Sequence, residues 1–180
     1  MKKIGLVIIG IVLGLIGYSS AKPALDTESR VLGTYHAWTA YVASLPEGKV
    51  CYIAASPTKS AGKYSSRGDV FLMIAHRPQE KSFNVVSFLA GYTYKKKVNA
   101  TIQVDKNKAL GLLTDIGVDT DTAWAKDAKM DAELIAQMKK GNVLVVKGTS
   151  KRGTQTTDTF SLKGFSKAYE AIQTACGNVS

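Results

Sequence analysis

Ala37-Trp38-Thr39-Ala40-Tyr41-Val42, Leu45-Pro46-Glu47-Gly48 and Val50-Cys51-Tyr52-Ile53-Ala54 follow one another within residues 37–54. The first and last pieces alternate and are rich in aromatic and β-branched residues, the period-two texture of strands. The Pro-Glu-Gly between them is turn chemistry. Together they read as a β-hairpin and set the chain's texture as β.

The same texture continues toward the C-terminus. Val70–His76 is an unbroken apolar run and reads as a strand buried on both faces. Arg77–Lys81 is a polar turn leading to Asn84–Leu89. Tyr92-Thr93-Tyr94 runs into Lys95-Lys96-Lys97, and Val98–Val104 then alternates cleanly. Asp105–Lys108 suits a hairpin turn before Ala109–Leu113, and Thr122-Ala123-Trp124 ends the β-rich region. Trp38 and Trp124 both fall in alternating segments and are expected in the core. The polar stretch Ser56–Gly68, rich in Gly, Ser and Lys, is the longest candidate loop, and long loops are common carriers of binding function.

Two helices follow. In Asp127–Lys140, Met130, Leu134, Ile135 and Met138 lie at helical spacing, Asp127 can cap the start and Gly141 can stop the end. Val143–Val146 and Thr154–Phe160 form a further strand pair around Lys151-Arg152-Gly153. In Gly164–Cys176, Phe165, Ala168, Tyr169, Ile172 and Cys176 share one face. Many short strands punctuated by turns, with helices toward the end, predict a mainly β chain: an antiparallel β-sandwich with two helices in the C-terminal third.

Before the hairpin the chain changes character. Lys2 and Lys3 precede an uncharged run of Ile, Leu, Val and Gly from Ile4 to Gly17, and small residues stand at −3 and −1 of a cut after Ala21. This is the tripartite pattern of a signal peptide. The run is shorter than the roughly 20 apolar residues of a membrane span, so no stable transmembrane anchor is expected after cleavage. Residues 1–21 are therefore read as a signal peptide, 22–34 as a flexible N-terminal arm and 35–180 as one domain. About 160 residues suffice for a single hydrophobic core.

The chain carries 24 Lys and Arg against 14 Asp and Glu, a formal net charge of +10, and stays basic without Lys2 and Lys3. Such a field favours anionic surfaces: lipid head groups, lipopolysaccharide or nucleic acid. Export argues against intracellular nucleic acid. Cys51 and Cys176 are the only cysteines. An even pair in an oxidising compartment is most simply a disulfide. Two buried thiols or a redox pair are the alternatives, and the C-x-x-C spacing usual for a redox pair is absent. An inward-facing Cys176 and a Cys51 on a core strand favour the bond.

Three features in order resemble the invasion-associated locus B family of exported alphaproteobacterial proteins. They are the Trp-bearing strand followed by Lys49-Val50-Cys51, the helix and strand spanning Leu134–Gly148, and Ser161-Leu162-Lys163-Gly164-Phe165 opening the last helix. The resemblance implies an immunoglobulin-like β-sandwich, periplasmic or surface exposure and, in the namesake pathogens, a part in host-cell entry. Many members carry a further cysteine before the penultimate helix, whereas Asp119–Lys129 has none. The family offers no established catalytic residues to carry over.

Catalytic and metal chemistry is sparse. His36 and His76 are the only imidazoles, and neither sits in a nucleophile motif. Asp115, Asp119 and Asp121 around Gly117 lack the EF-hand spacing and its bidentate Glu, so they read as a solvated acidic turn. Lys95, Lys96 and Lys97, beside Tyr92 and Tyr94, are the candidate site for anionic surfaces; the competing reading is a solvated, aggregation-resistant strand edge. Lys63, Arg67, Lys151 and Arg152 would extend that patch if their loops met. The expectation is a non-enzymatic protein without cofactor or metal, periplasmic or secreted and in some settings associated with the outer membrane. It would bind an envelope or host protein or an anionic surface polymer. A rival is a hydrolase-like periplasmic enzyme with a site built near residues 56–76, with Ser65, Ser66 or Asp69 converging on His76. A third reading is a structural envelope protein.

Overall fold

A computed structural model describes residues 29–114 and 120–177. The signal pattern, the first part of the arm, and Asp115, Gly117 and Asp119 of the acidic turn lie outside the described residues.

The strands are β1 (Arg30–Tyr35), β2 (Trp38–Leu45), β3 (Gly48–Ala55), β4 (Lys59–Gly62), β5 (Phe71–Arg77), β6 (Ser82–Leu89), β7 (Ala100–Val104), β8 (Leu110–Leu112), β9 (Thr122–Trp124), β10 (Val143–Thr149) and β11 (Gln155–Ser161). The helices are α1 (Ala128–Lys140) and α2 (Phe165–Cys176). One sheet has six strands in the order β1-β2-β3-β5-β6-β9, the other five in the order β4-β11-β10-β7-β8. Every pairing is antiparallel. The chain is thus mainly β, a sandwich of two antiparallel sheets with two helices, as its sequence predicts.

Cross-strand neighbours share a face, so the register defines the core in rows. Ala40, Ile53, Ile74 and Val86 form one row, and Ala55, Leu72, Phe88 and Ala123 the next. All are buried. Phe88 meets Phe160 of β11 edge to face at 6.1 Å, joining the two sheets. A third row, Val42, Cys51 and His76, lies against α2. Trp38 packs on Phe165 at 5.1 Å and donates from Nε1 to the Ser161 carbonyl at 3.0 Å, while His76 meets the Tyr169 ring at 5.8 Å. The inner face of the larger sheet is therefore shared between the smaller sheet and α2.

Cys51 and Cys176 are disulfide-bonded, with Cα atoms 5.8 Å apart across a separation of 125 residues. Helix α1 starts at Asp127, whose side chain accepts from the Met130 N–H at 2.8 Å, and ends at Gly141. Asp131, on its buried face, accepts from the Val86 N–H at 2.8 Å. Strand β9 pairs with β6 only from Ser87 onward, so this carboxylate takes over the sheet edge where the strand runs out. Burial pushes the Asp131 pKa up to about 6, against the pull of the Val86 N–H and with a small push from Asp127.

Four expectations need correction. Arg30–Thr34, read as part of an arm, belong to β1 and pair with β2; backbone pairing here overrides an aperiodic sequence. The Ser56–Gly68 loop contains the short edge strand β4, paired with β11. Strand β5 is buried on one face only: Leu72, Ile74 and His76 point inward, while Phe71, Met73 and Ala75 are half-exposed. Trp124 is likewise half-exposed, because its neighbour Ala123 takes the inward place beside Phe88.

Candidate functional site: a basic cleft beside the β10–β11 turn

Three connecting segments meet beside the β10–β11 turn. Gly68 donates its N–H to the Gly91 carbonyl at 2.9 Å, and Lys151 donates to the Thr93 carbonyl at 2.7 Å. Ser150 and Thr154 close the turn, the Ser150 N–H reaching the Thr154 carbonyl at 2.9 Å. Gly91 has φ +68°, and a Cβ there would run into the Gly68 and Asp69 carbonyls. Glycine is required at that crossing.

Under this crossing lies a buried ion pair. Arg67 donates from both terminal nitrogens to the two Asp158 oxygens at 2.8 Å each, and from Nε to the Ala90 carbonyl at 2.6 Å. The side chains are 5% and 0% exposed. The guanidinium lies over the Tyr92 ring at 4.9 Å and the Tyr64 ring at 5.6 Å. Burial alone would lower the pKa of Arg67, but its bonds to Asp158 and that carboxylate's charge outweigh burial and raise it. Tyr92 places its hydroxyl 2.7 Å from Thr156 Oγ1, and burial raises its pKa. Gly148 of β10 makes room for that hydroxyl, which would collide with any Cβ there.

Above this floor opens a cleft of about 390 Å³. Lys63, Lys151 and Arg152 line it with exposed side chains that make no ion pair among the described residues. The rings of Tyr64 and Tyr92 and the hydroxyls of Ser65, Ser66, Thr93 and Ser150 complete most of the wall. No carboxylate and no aliphatic side chain larger than threonine lines it. The arrangement can attract a negative charge and hydrogen-bond a polar ligand.

The loops carrying Lys63, Arg67, Lys151 and Arg152 do meet. Arg67 nevertheless differs in role, its charge being taken up by Asp158. Lys95, Lys96 and Lys97 are exposed in a turn closed by the Val98 N–H on the Lys95 carbonyl at 3.3 Å. They follow the bridge between Tyr94 and Ser150 but do not line the cleft. Ser65 and Ser66 line it, whereas Asp69 does not. His76 is wholly buried, accepts from the Asn84 N–H at Nδ1 and packs on Phe83 and Tyr169; burial lowers its pKa. Serine and imidazole are not brought together. Among the described residues no three potential metal ligands cluster.

Tyr92 bonded to Thr156 and Asp158 bonded to Arg67 escaped the sequence reading. A usable signal existed for Asp158, which has the same strand parity as the core residue Phe160 and so had to face inward.

Residues 38–173 match the family model described as Invasion associated locus B (IalB) protein. Neither a curated protein nor a solved structure matches the chain.

Proposed function

Because the chain belongs to the invasion-associated locus B family, we propose that it is an exported, non-enzymatic protein that acts by binding, with the basic cleft as its contact for an anionic group on an envelope or external partner. The observation that carries this reading is the set Lys63, Lys151 and Arg152: three cations around one concavity, without a carboxylate among its lining residues. Export is supported by the basic and apolar N-terminal pattern, and by a disulfide of the kind that persists in oxidising compartments.

Two measurements test it. Cell fractionation of the native host should place the protein outside the cytoplasm, with its N-terminus cut after Ala21; an uncut cytoplasmic chain would overturn the export reading. On an immobilised polyanion such as polyphosphate, Lys63→Gln/Lys151→Gln/Arg152→Gln should elute at clearly lower salt than Lys95→Gln/Lys96→Gln/Lys97→Gln. Both variants lose the same net charge, so equal elution would mean that only overall charge matters.

The half-exposed outer face of the larger sheet, where Tyr41 stacks on Tyr52 at 4.9 Å and which Met73 and Phe71 also share, favours a second reading as a structural protein working through subunit contacts. Sedimentation over a concentration series would support it by showing self-association, and a monomer throughout would remove it.

A further inference from the structure

Deepening the binding reading and resting on it, we infer that the cleft recognises an anionic sugar: a saccharide unit bearing a phosphate or carboxylate. The lining excludes other chemistries one by one. A lipid tail or an apolar peptide anchor needs aliphatic surface, and the wall has no Leu, Ile, Val, Met or Phe. A cationic ligand would meet like charge, because no carboxylate lines the cleft and Asp158 beneath it is buried and paired with Arg67. A bare anion could use the cations and accept from the hydroxyls, but it has no face to lay on the exposed Tyr64 ring. Ser65, Ser66 and Thr93 belong to a wall of hydroxyls, and no hydrogen bond ties their side chains to another described residue.

A sugar ring answers this wall. Its hydroxyls both donate and accept, as do those of serine and threonine, and its C–H face packs on aromatic rings. Tyr64, 38% exposed, offers such a ring. The Arg67 guanidinium lies over both cleft tyrosines, and its bidentate bond to Asp158 holds it in place. The aromatic floor is therefore pre-organised before ligand arrives, which lowers the entropy lost on binding. Lys63, Lys151 and Arg152 stand where the charged substituent would lie. At about 390 Å³ the cleft sits near the small end of the roughly 300–1,000 Å³ range of ligand pockets, suiting a terminal or short saccharide unit rather than a long polymer segment.

An NMR titration of the purified protein tests this with four probes: glucose 6-phosphate, glucuronate, glucose and inorganic phosphate. One of the two charged sugars, or both, should shift amides of residues 63–67, 92–93 and 150–156, and bind at least tenfold more tightly than glucose and inorganic phosphate. Lys151→Gln/Arg152→Gln should lose about tenfold for that sugar, the order of one strong charged contact, with an unchanged melting temperature because both side chains are exposed. Phosphate binding as tightly as the charged sugars would make this a charge-only site and overturn the inference, as would glucose binding equally well or the absence of cleft shifts with either charged sugar. If the cleft variant still loses polyanion retention while the sugars fail, the binding reading stands and the sugar assignment falls. If the cleft and turn variants elute alike, the binding reading itself falls.

Discussion

Asp158 is buried beneath the cleft and lines none of it, yet its contacts reach the wall through Arg67. It holds Arg67, and Arg67 in turn holds the Tyr64 and Tyr92 rings in place. Removing one member of a buried pair strands the other's charge, which costs about 3–5 kcal/mol. Asp158→Asn preserves volume and should lower stability by that order in urea denaturation; an unchanged midpoint would show that Arg67 reaches water. This pair was beyond a sequence reading for a plain reason. Its members lie 91 positions apart, and the Thr-rich strand Gln155–Ser161 shows its inward face mainly through Phe160. Lys63, Lys151 and Arg152 were visible as charges, but that they share one concavity depends on how β4, β6 and β10 are ordered in two different sheets.

The strands that sequence reading recovered are those with an apolar face to bury: β2, β3, β7 and β10 alternate as they pack. The helices were legible to their ends, since Asp127 and Gly141 bracket α1 in residue type as they do in space. Strand β4, by contrast, is Lys-Ser-Ala-Gly and exposed throughout; backbone bonds to β11 create it and leave no pattern to read. Asp131 was equally hidden, being an acid on the apolar face of α1. Its role joins helix to sheet edge and makes a pH prediction. The folded pKa, about 6, lies above the ordinary 3.8, so the folded state holds this proton more tightly. The stability it contributes is full below pH 4 and is lost as pH rises through 6. Asp131→Asn still accepts the Val86 N–H and cannot ionise. Melting temperatures at pH 4 and pH 7.5 should therefore differ less in the variant, with the variant gaining at pH 7.5. The same pH dependence in both proteins would contradict the burial of this carboxylate.

The whole domain is drawn together by the bond between β3 and α2. In the chain-entropy account, closing a loop of this length stabilises by about 4–5 kcal/mol. Cys51→Ala/Cys176→Ala should therefore shift the urea midpoint well down while leaving a single cooperative transition; a variant as stable as the native protein would assign the domain's stability to packing alone. The covalent tie was legible because residue count, spacing and helix face agreed. Which strands would neighbour one another was not, since order within each sheet is set by long-range pairing.

The bond also has a consequence in time. Translation runs at roughly 5–20 residues per second, so the second thiol, 125 residues later, trails the first by about 6–25 s. Through that interval Cys51 has no partner in its own chain, and α2 is absent from the surface it will cover. The smaller sheet waits as well, because its central strands β10 and β11 are made late. The domain therefore closes only after its last helix is synthesised, and until then the row of Val42, Cys51 and His76 lacks its cover.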